Sequence, residues 1–133
     1  INKLFRKITR GKKKSLKIIS IKERNFQIIN YYQGIARFDF VELCDRSIGA
    51  EDYIKIAEEC NFIIIENIPK FSDVNINQQL RFITLIDIFY EKKIKLVLSS
   101  ELNLKNFTSS SKLETPFKRT ISRIYELTSS PSV

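Results

Sequence analysis

The chain has 133 residues, the length of one domain or of a piece of a larger protein, and a formal net charge of +8. It contains no histidine and only two cysteines, so the side chain most often used as a base and as a zinc ligand is missing. No apolar run approaches the roughly 20 residues that span a bilayer, and no secretory signal pattern is present. The sequence therefore predicts a soluble protein without a metal centre and, because it opens on Ile1, a fragment.

The positive charge is concentrated near the beginning of the chain. Residues 1–24 contain ten of the 23 Lys and Arg residues but one of the 15 acidic residues, so the remainder is close to neutral. This basic segment, which includes Lys12, Lys13 and Lys14, could be a solvated linker, a contact for anionic lipid head groups or a contact for nucleic acid. We therefore expect three parts: a basic N-terminal segment over 1–24, an α/β domain over 25–128 and a disordered tail over 129–133.

The first half of the chain alternates short apolar runs with polar turns. Apolar residues in short runs predict strands, and apolar residues at helical spacing predict helices. Glu51 and Asp52 would lie in the first turn of a helix, where carboxylates favour the positive end of the helix dipole. The predicted elements are a strand pair over 16–21 and 26–29, a connection over 30–34, a short helix that ends near 45–47, and a helix over 50–60.

The second half contains the most informative pattern. Residues 62–65 are four consecutive apolar residues, as in a parallel strand covered on both faces, and Pro69 ends the run. A strongly apolar helix and a further strand follow, which predicts a parallel β-α-β crossover. Thr115 and Pro116 predict the cap and first turn of a last helix. The predicted elements are a helix over 75–91 with Ile76, Leu80, Ile83 and Tyr90 near one apolar stripe, a strand over 94–100, a mobile surface loop over 103–115, and a helix with Phe117, Ile121, Ile124 and Leu127 on its apolar face.

These elements together predict an α/β fold with a small parallel sheet built around the crossover. Cys44 and Cys60 fall at apolar positions of helical patterns, so we expect buried free thiols without chemistry. Asp87 lies within the apolar face of the helix over 75–91, where an unpaired carboxylate would be costly. We therefore expect it to pair with an arginine such as Arg81 or Arg123.

Four stretches resemble one known family in their order and spacing. They are ARFDFVELCDRSIGAEDY at 36–53, RFITLIDIFYE at 81–91, IKLVLSS at 94–100 and FKRTISRIYEL at 117–127. The chain resembles the C-terminal part of the ZapE family, also called AFG-one-like ATPases, which are AAA+ P-loop proteins of bacteria and mitochondria. It departs from the family pattern at Ser47, where proline is usual, and in its serine-rich loop.

The resemblance implies that the chain is the C-terminal portion of a P-loop AAA+ ATPase-like protein. The intact protein would use ATP and magnesium, and would hydrolyse ATP to remodel protein clients in bacterial cell division or in mitochondrial protein quality control. Its partners would be the upstream ATPase core and further copies of itself. Its location would be the bacterial cytoplasm or the mitochondrion, and peripheral contact with the inner membrane is left open.

The phosphate loop of that family has no counterpart in this sequence. The motif G-x-x-x-x-G-K-[ST] contains two glycines before its lysine. Gly11-Lys12 could match only the second glycine and the lysine, because the earlier glycine is missing. FIIIE at 62–66 imitates the acidic strand end that holds the metal, but the resemblance places the true one upstream, so Glu66 is not expected to be catalytic. We therefore expect that this chain alone does not hydrolyse ATP.

Two sets of residues are candidates for function. The stretch 36–53 would contact the upstream ATPase core, the alternative being a capped helix junction within this domain. Oligomeric AAA+ proteins commonly use arginines to stabilise charge on the transferred phosphoryl group; the alternative is a surface salt bridge to Glu126. The candidate interface residues are Arg37, Phe38, Asp39, Phe40, Arg46 and Asp52, and the candidate phosphate-sensing residues are Arg119, Arg123 and Arg81.

A different class of function is an independent module that binds nucleic acid through Lys12, Lys13 and Lys14. Its affinity would fall steeply with salt and would vanish when residues 1–24 are deleted. Binding of a protein partner that survives this deletion would favour the ATPase family instead, for which nucleic acid is not the expected partner.

Overall fold

The computed structural model describes residues 1–21, 24–45, 48–100, 102–103 and 106–128, and the predicted tail over 129–133 lies outside them. This part of the chain forms five strands and five α-helices. They are α1 (Asn2–Ile8), β1 (Lys14–Ile21), β2 (Arg24–Tyr32), β3 (Ile35–Asp39), α2 (Phe40–Cys44), α3 (Ala50–Glu59), β4 (Phe62–Ile68), α4 (Ile76–Glu91), β5 (Lys95–Ser100) and α5 (Glu114–Thr128), with 3-10 turns at Asp73–Asn75 and Ser111–Leu113.

The strands form one sheet in the order β1-β2-β3-β4-β5. β1, β2 and β3 are antiparallel neighbours, whereas β3, β4 and β5 run parallel. The predicted α/β class and the parallel crossover through α4 are thus confirmed. The sheet as a whole is mixed, because the hairpin at the beginning of the chain continues the parallel strands instead of standing apart.

Each face of the sheet has its own hydrophobic core. The inner face packs against α2, α3, α4 and α5, and its fully buried side chains include Ile63 and Ile65 of β4. On the outer face, Phe5 of α1 packs against Ile35, Phe62 and Ile64. The four apolar residues at 62–65 are therefore covered from both sides, as their lack of alternation predicted.

Residues 1–21 belong to the same folded unit as the rest of the described chain. β1 pairs with β2 from Lys14 to Ile21, and α1 lies on the outer face of the sheet. The predicted division at residue 24 therefore falls inside a hairpin. Phe5 and the apolar side chains of β1 explain the difference, because together they bury enough surface to fix this basic segment on the sheet.

The connection between β2 and β3 is shorter than the predicted 30–34. β2 continues to Tyr32, and the turn consists of Gln33 and Gly34, both with positive φ. Two residues of this kind suit the tight turn of a twisted hairpin. At Gly34 a Cβ atom would also lie 3.2 Å from the side chain of Asn61. Glycine is therefore favoured here both by the positive φ and by the lack of space.

The segment predicted as a surface loop is partly buried. Ser110 is 1% exposed, its backbone N–H donates to the Gln79 side chain at 2.9 Å, and its hydroxyl donates to Asp73 at 2.6 Å. Ser110 also caps the 3-10 turn that leads into α5, so this helix begins at Glu114 and not after Thr115. The polar composition predicted exposure, but these hydroxyl and amide groups satisfy one another inside the fold.

Candidate functional site on α4 and α5

Two arginines of α5 share one carboxylate of α4. Arg119 and Arg123 are one helical turn apart, and Asp87 faces both of them from α4. Arg123 donates a hydrogen bond to one Asp87 oxygen, and the Arg119 guanidinium lies 3.7 Å from the other. The predicted pairing of Asp87 with Arg123 is confirmed. Both arginines form ion pairs with Asp87, whereas the alternative weighed from the sequence was a salt bridge to Glu126.

Tyr90 holds Arg123 from a second side. The guanidinium carbon of Arg123 lies 4.8 Å from the centre of the Tyr90 ring, and the Tyr90 hydroxyl donates to Glu126 at 2.7 Å. This hydrogen bond raises the pKa of Tyr90, because ionisation would bring a second negative charge against the carboxylate. The periodicity placed Tyr90 on an apolar stripe. No signal in the sequence showed that its hydroxyl would contact Glu126 or that its ring face would contact Arg123.

The two arginines differ in exposure. The side chain of Arg123 is 22% exposed, whereas that of Arg119 is 60% exposed. Asp87 supplies one negative charge for two guanidinium groups, and the less enclosed group belongs to Arg119. A guanidinium presents a planar fork of N–H donors that matches carboxylate and phosphate oxygens. The site can therefore receive an anionic oxygen group at Arg119 while Arg123 keeps a fixed position.

Arg81 lies in a different environment. It donates a hydrogen bond at 3.1 Å to the backbone carbonyl of Cys44, at the end of α2. Carbonyls at the end of a helix have no partner within it, so this contact satisfies one of them and joins α2 to α4. The structure therefore brings together two of the three predicted arginines and directs the third to a structural contact.

Arg37 of the stretch 36–53 is surrounded by side chains of the same chain. It donates hydrogen bonds to Glu66 and, at 2.6 Å, to Asn2, and its guanidinium lies 5.0 Å from the centre of the Phe5 ring. The bond to Glu66 raises the pKa of Arg37, against the opposing effect of burial. Glu66, whose sequence context resembles that of a metal-holding carboxylate, thus forms an ion pair with Arg37 of β3.

Two of the candidate interface residues, Asp39 and Asp52, cap helices of this domain. Asp39 accepts from the backbone N–H of Val41 at 3.2 Å and from Asn67 at 2.6 Å. Asp52, 2% exposed, accepts from the backbone N–H of Gly49 at 2.9 Å. These contacts are those of the capped junction considered as an alternative, and a further contact with an upstream core stays a prediction. Of the remaining candidates, Phe38 and Phe40 are buried in the inner core, and Arg46 lies outside the described residues.

The thiols have the environment that their pattern predicted. Cys44 and Cys60 are free and buried, and desolvation raises the pKa of each to about 12. Both therefore stay protonated at neutral pH and are poor nucleophiles. In the part of the chain that the structure describes, no group of three or more Cys, Asp and Glu side chains could hold a metal ion. Nor does any helix in that part combine the length and apolarity needed to cross a bilayer.

The fold and the arginine site together define an α/β domain with guanidinium groups arranged on one helix face. A sequence model of the AFG1-like ATPase family matches residues 1–132, and the chain belongs to this family. This confirms the family that the four motifs predicted.

Two curated relatives illustrate the range of the family. The chain is 26% identical over 129 residues to the cell division protein ZapE of Escherichia coli strain K12, which covers 97% of the chain and 34% of ZapE. It is 33% identical over 88 residues to the lactation elevated protein 1 homolog B of Danio rerio, which covers 66% of the chain and 18% of that protein. The chain thus spans about a third of the length of ZapE and a smaller share of the Danio rerio protein. No solved structure matches it.

Proposed function

We propose that this chain works as one part of an ATPase that binds ATP with magnesium and uses hydrolysis to remodel protein partners. Support comes from membership of the AFG1-like ATPase family and from the chain's span of 34% of ZapE. The 133 residues contain no phosphate-loop motif. We infer that an ATPase core elsewhere in a longer protein supplies the triphosphate and metal sites.

Within that ATPase, Arg119 contacts the phosphates of the bound nucleotide. The observation that carries this assignment is the shared carboxylate: Asp87 fixes Arg123, and Arg119 remains 60% exposed one turn away. Charge develops on the transferred phosphoryl group during hydrolysis, and a guanidinium already in position stabilises it without reorganisation. Arg123 and Asp87 are positioning residues, because they act through Arg119.

The nucleotide that meets Arg119 belongs either to the same chain or to a neighbouring copy. We propose a homo-oligomer, in which an exposed arginine can reach the active site of the next subunit. Similarity to the cell division protein ZapE suggests a role in cell division. The cytoplasm is the compartment that this role requires, with mitochondria as the eukaryotic counterpart.

The test uses the complete protein and measures ATP turnover. Arg119→Ala should lower kcat by about 10³-fold or more, which is the effect of such arginines in related NTPases. Arg119→Lys should remain defective, because a lysine cannot reproduce the bidentate fork. Thermal stability should stay within about 0.5 kcal/mol of the parent, because Arg119 is largely exposed.

A matched control lies next to Arg119 on the same helix. Lys118 has a 78% exposed side chain and only a 3.9 Å contact with Glu114, so Lys118→Ala should leave turnover unchanged. Asp87→Asn should give a smaller loss in kcat than Arg119→Ala, with KM for ATP little changed, because it loosens Arg123 without removing Arg119. Normal turnover in the Arg119→Ala protein would refute the assignment.

A further inference from the structure

The outer face of the sheet is covered over one half and open over the other. α1 packs on β3 and β4 through Phe5. On the β1–β2 hairpin three large aliphatic side chains remain accessible: Leu16 is 57% exposed, Ile18 49% and Ile29 56%. An accessible aliphatic group of this kind beside a folded core is typical of a contact surface.

The strand register places these three side chains together. Ile19 pairs with Phe26 in the inner core, so Ile18 points to the outer face. The register then shifts: Ser15 pairs with Tyr31, whereas Lys17 pairs with Ile28. Ile29 and Asn30 therefore lie opposite Leu16 in a β-bulge, on the outer side. We call Leu16, Ile18 and Ile29 the aliphatic patch.

The segment that contributes Leu16 and Ile18 to the aliphatic patch is rich in cations. The described residues 1–21 contain no Asp or Glu, and seven of their eight cationic side chains are exposed. The eighth, Lys17, is half-buried and pairs with Glu59 at 3.0 Å. The seven exposed cations are Lys3, Arg6, Lys7 and Arg10 on α1 and its end, and Lys12, Lys13 and Lys14 between α1 and β1.

A cleft on the same side of the sheet continues this charge. It has a volume of about 340 Å³, and its lining includes Lys12, Lys93 and Lys95 together with the outer-face residues Ile35 and Phe62. These lysines come from two separate segments, before β1 and at the start of β5, which the fold brings to one end of the parallel strands. Their ammonium groups suit a phosphate group more than they suit a neutral ligand.

We propose that this outer face is a docking surface for an anionic lipid bilayer. The seven exposed cations attract the negative lipid surface, and the aliphatic patch inserts among the lipid chains at the head-group level. Either signal alone gives weak and reversible attachment, whereas the two together give stable peripheral binding. The proposal is independent of ATP chemistry, because none of these residues belongs to the arginine site on α4 and α5.

Lipid fits this surface better than nucleic acid does. Proteins that bind single-stranded nucleic acid stack its bases on aromatic rings. The rings of β2 are not available for stacking, because Tyr31 packs against the inner core and Tyr32 meets Phe5 edge to face at 5.3 Å. The accessible apolar groups are aliphatic, and the accompanying charge is mostly lysine.

The experiment measures binding of the complete protein to vesicles of phosphatidylcholine, with and without phosphatidylglycerol. Binding should require phosphatidylglycerol and should weaken as salt is added. The variant Lys12→Gln/Lys13→Gln/Lys14→Gln should lose about fivefold in affinity per lysine, on the order of a hundredfold in total. Leu16→Ser/Ile18→Ser/Ile29→Ser should lose at least about tenfold through the missing insertion. The single variant Leu16→Ser gives the same direction of change with the least risk to folding.

A charge-matched control uses three exposed lysines on other surfaces. Lys55→Gln/Lys70→Gln/Lys112→Gln removes the same charge from α3, from the segment after β4 and from the 3-10 turn before α5, and it should bind vesicles like the parent. A labelled oligonucleotide is titrated in parallel. Three results would overturn the proposal: equal binding to both vesicle types or to neither, serine variants that bind like the parent, or oligonucleotide binding that alone depends on Lys12 to Lys14. Arg119→Ala should bind vesicles normally, which separates this proposal from the ATPase assignment.

Discussion

The inner face of the sheet lies under four helices, whereas the described part of the outer face has one helix, α1, over β3 and β4. The inner core joins side chains from β1 to β5 with those of α2 to α5, and the outer cluster is centred on Phe5, Ile35, Phe62 and Ile64. The difference follows the direction of the strands. Parallel strands are stable when both faces are covered, while an antiparallel hairpin tolerates one open face. Coverage therefore stops near the point where the sheet changes from parallel to antiparallel.

The largest expected effect lies on the inner face. Phe82 is fully buried, and its ring centre lies 5.4 Å from that of Phe71 and 5.9 Å from that of Phe40. Phe82→Ala should lower the free energy of unfolding by about 3–5 kcal/mol, because it removes a large buried side chain and leaves a cavity. Urea denaturation measures the change. Val74→Ala, at a 92% exposed position, is the control and should change stability by less than about 0.5 kcal/mol.

A smaller effect is expected on the outer face. Phe5→Ala should lower the free energy of unfolding by about 1.5–3 kcal/mol, since α1 can detach while the inner core remains intact. Hydrogen exchange should show faster exchange in α1 and unchanged protection in α4. Lys7→Ala, at an exposed position of the same helix, should leave this protection unchanged. If Phe5→Ala costs as much as Phe82→Ala, the two faces unfold as one unit and the comparison fails.

The smallest expected effect tests whether water reaches the buried thiol of Cys44 in the inner core. Burial raises the pKa of Cys44 to about 12 in the folded state, above the value of about 8.5 in an unfolded chain. The thiol therefore contributes its full stabilisation below about pH 8.5 and loses it as pH rises towards 12. Between pH 8 and 10 the loss should be about 1–2 kcal/mol. Cys44→Ala should show a correspondingly flatter dependence on pH, and equal slopes would mean that water reaches the thiol.

Local sequence patterns predicted most of the elements. The helix predicted over 50–60 is α3, and its apolar residues at helical spacing, Tyr53, Ile56, Ala57 and Cys60, are all buried. The stripe of α5 and the uninterrupted apolar run of β4 were predicted with equal success. These predictions worked because each element presents a continuous apolar surface to a core, and such a surface has its own period in the sequence.

Predictions about single positions were less successful where a polar group is buried. Leu80, placed on the apolar stripe of α4, is 46% exposed, while its neighbour Gln79 is fully buried. Gln79 lies one turn before Phe82 and Ile83, so the helical period allowed this position. Its burial depends on hydrogen bonds to Ser72, Asn75 and Ser110, which come from other segments. Residue type alone predicts a buried Leu80 and an exposed Gln79.

The sequence by itself determined most of the helices and strands, the burial of both thiols, and the family, because these depend on patterns within short stretches. The helix α1 and the strand β3 were not predicted. Only the tertiary structure decided that Asp87 is shared by Arg119 and Arg123, that Arg81 serves α2, and that the basic segment forms part of the sheet. The physical reason is that the partner of a charge or a polar group depends on which groups lie near it in the folded structure, and not on separation along the sequence. Such distances are set when the apolar faces pack.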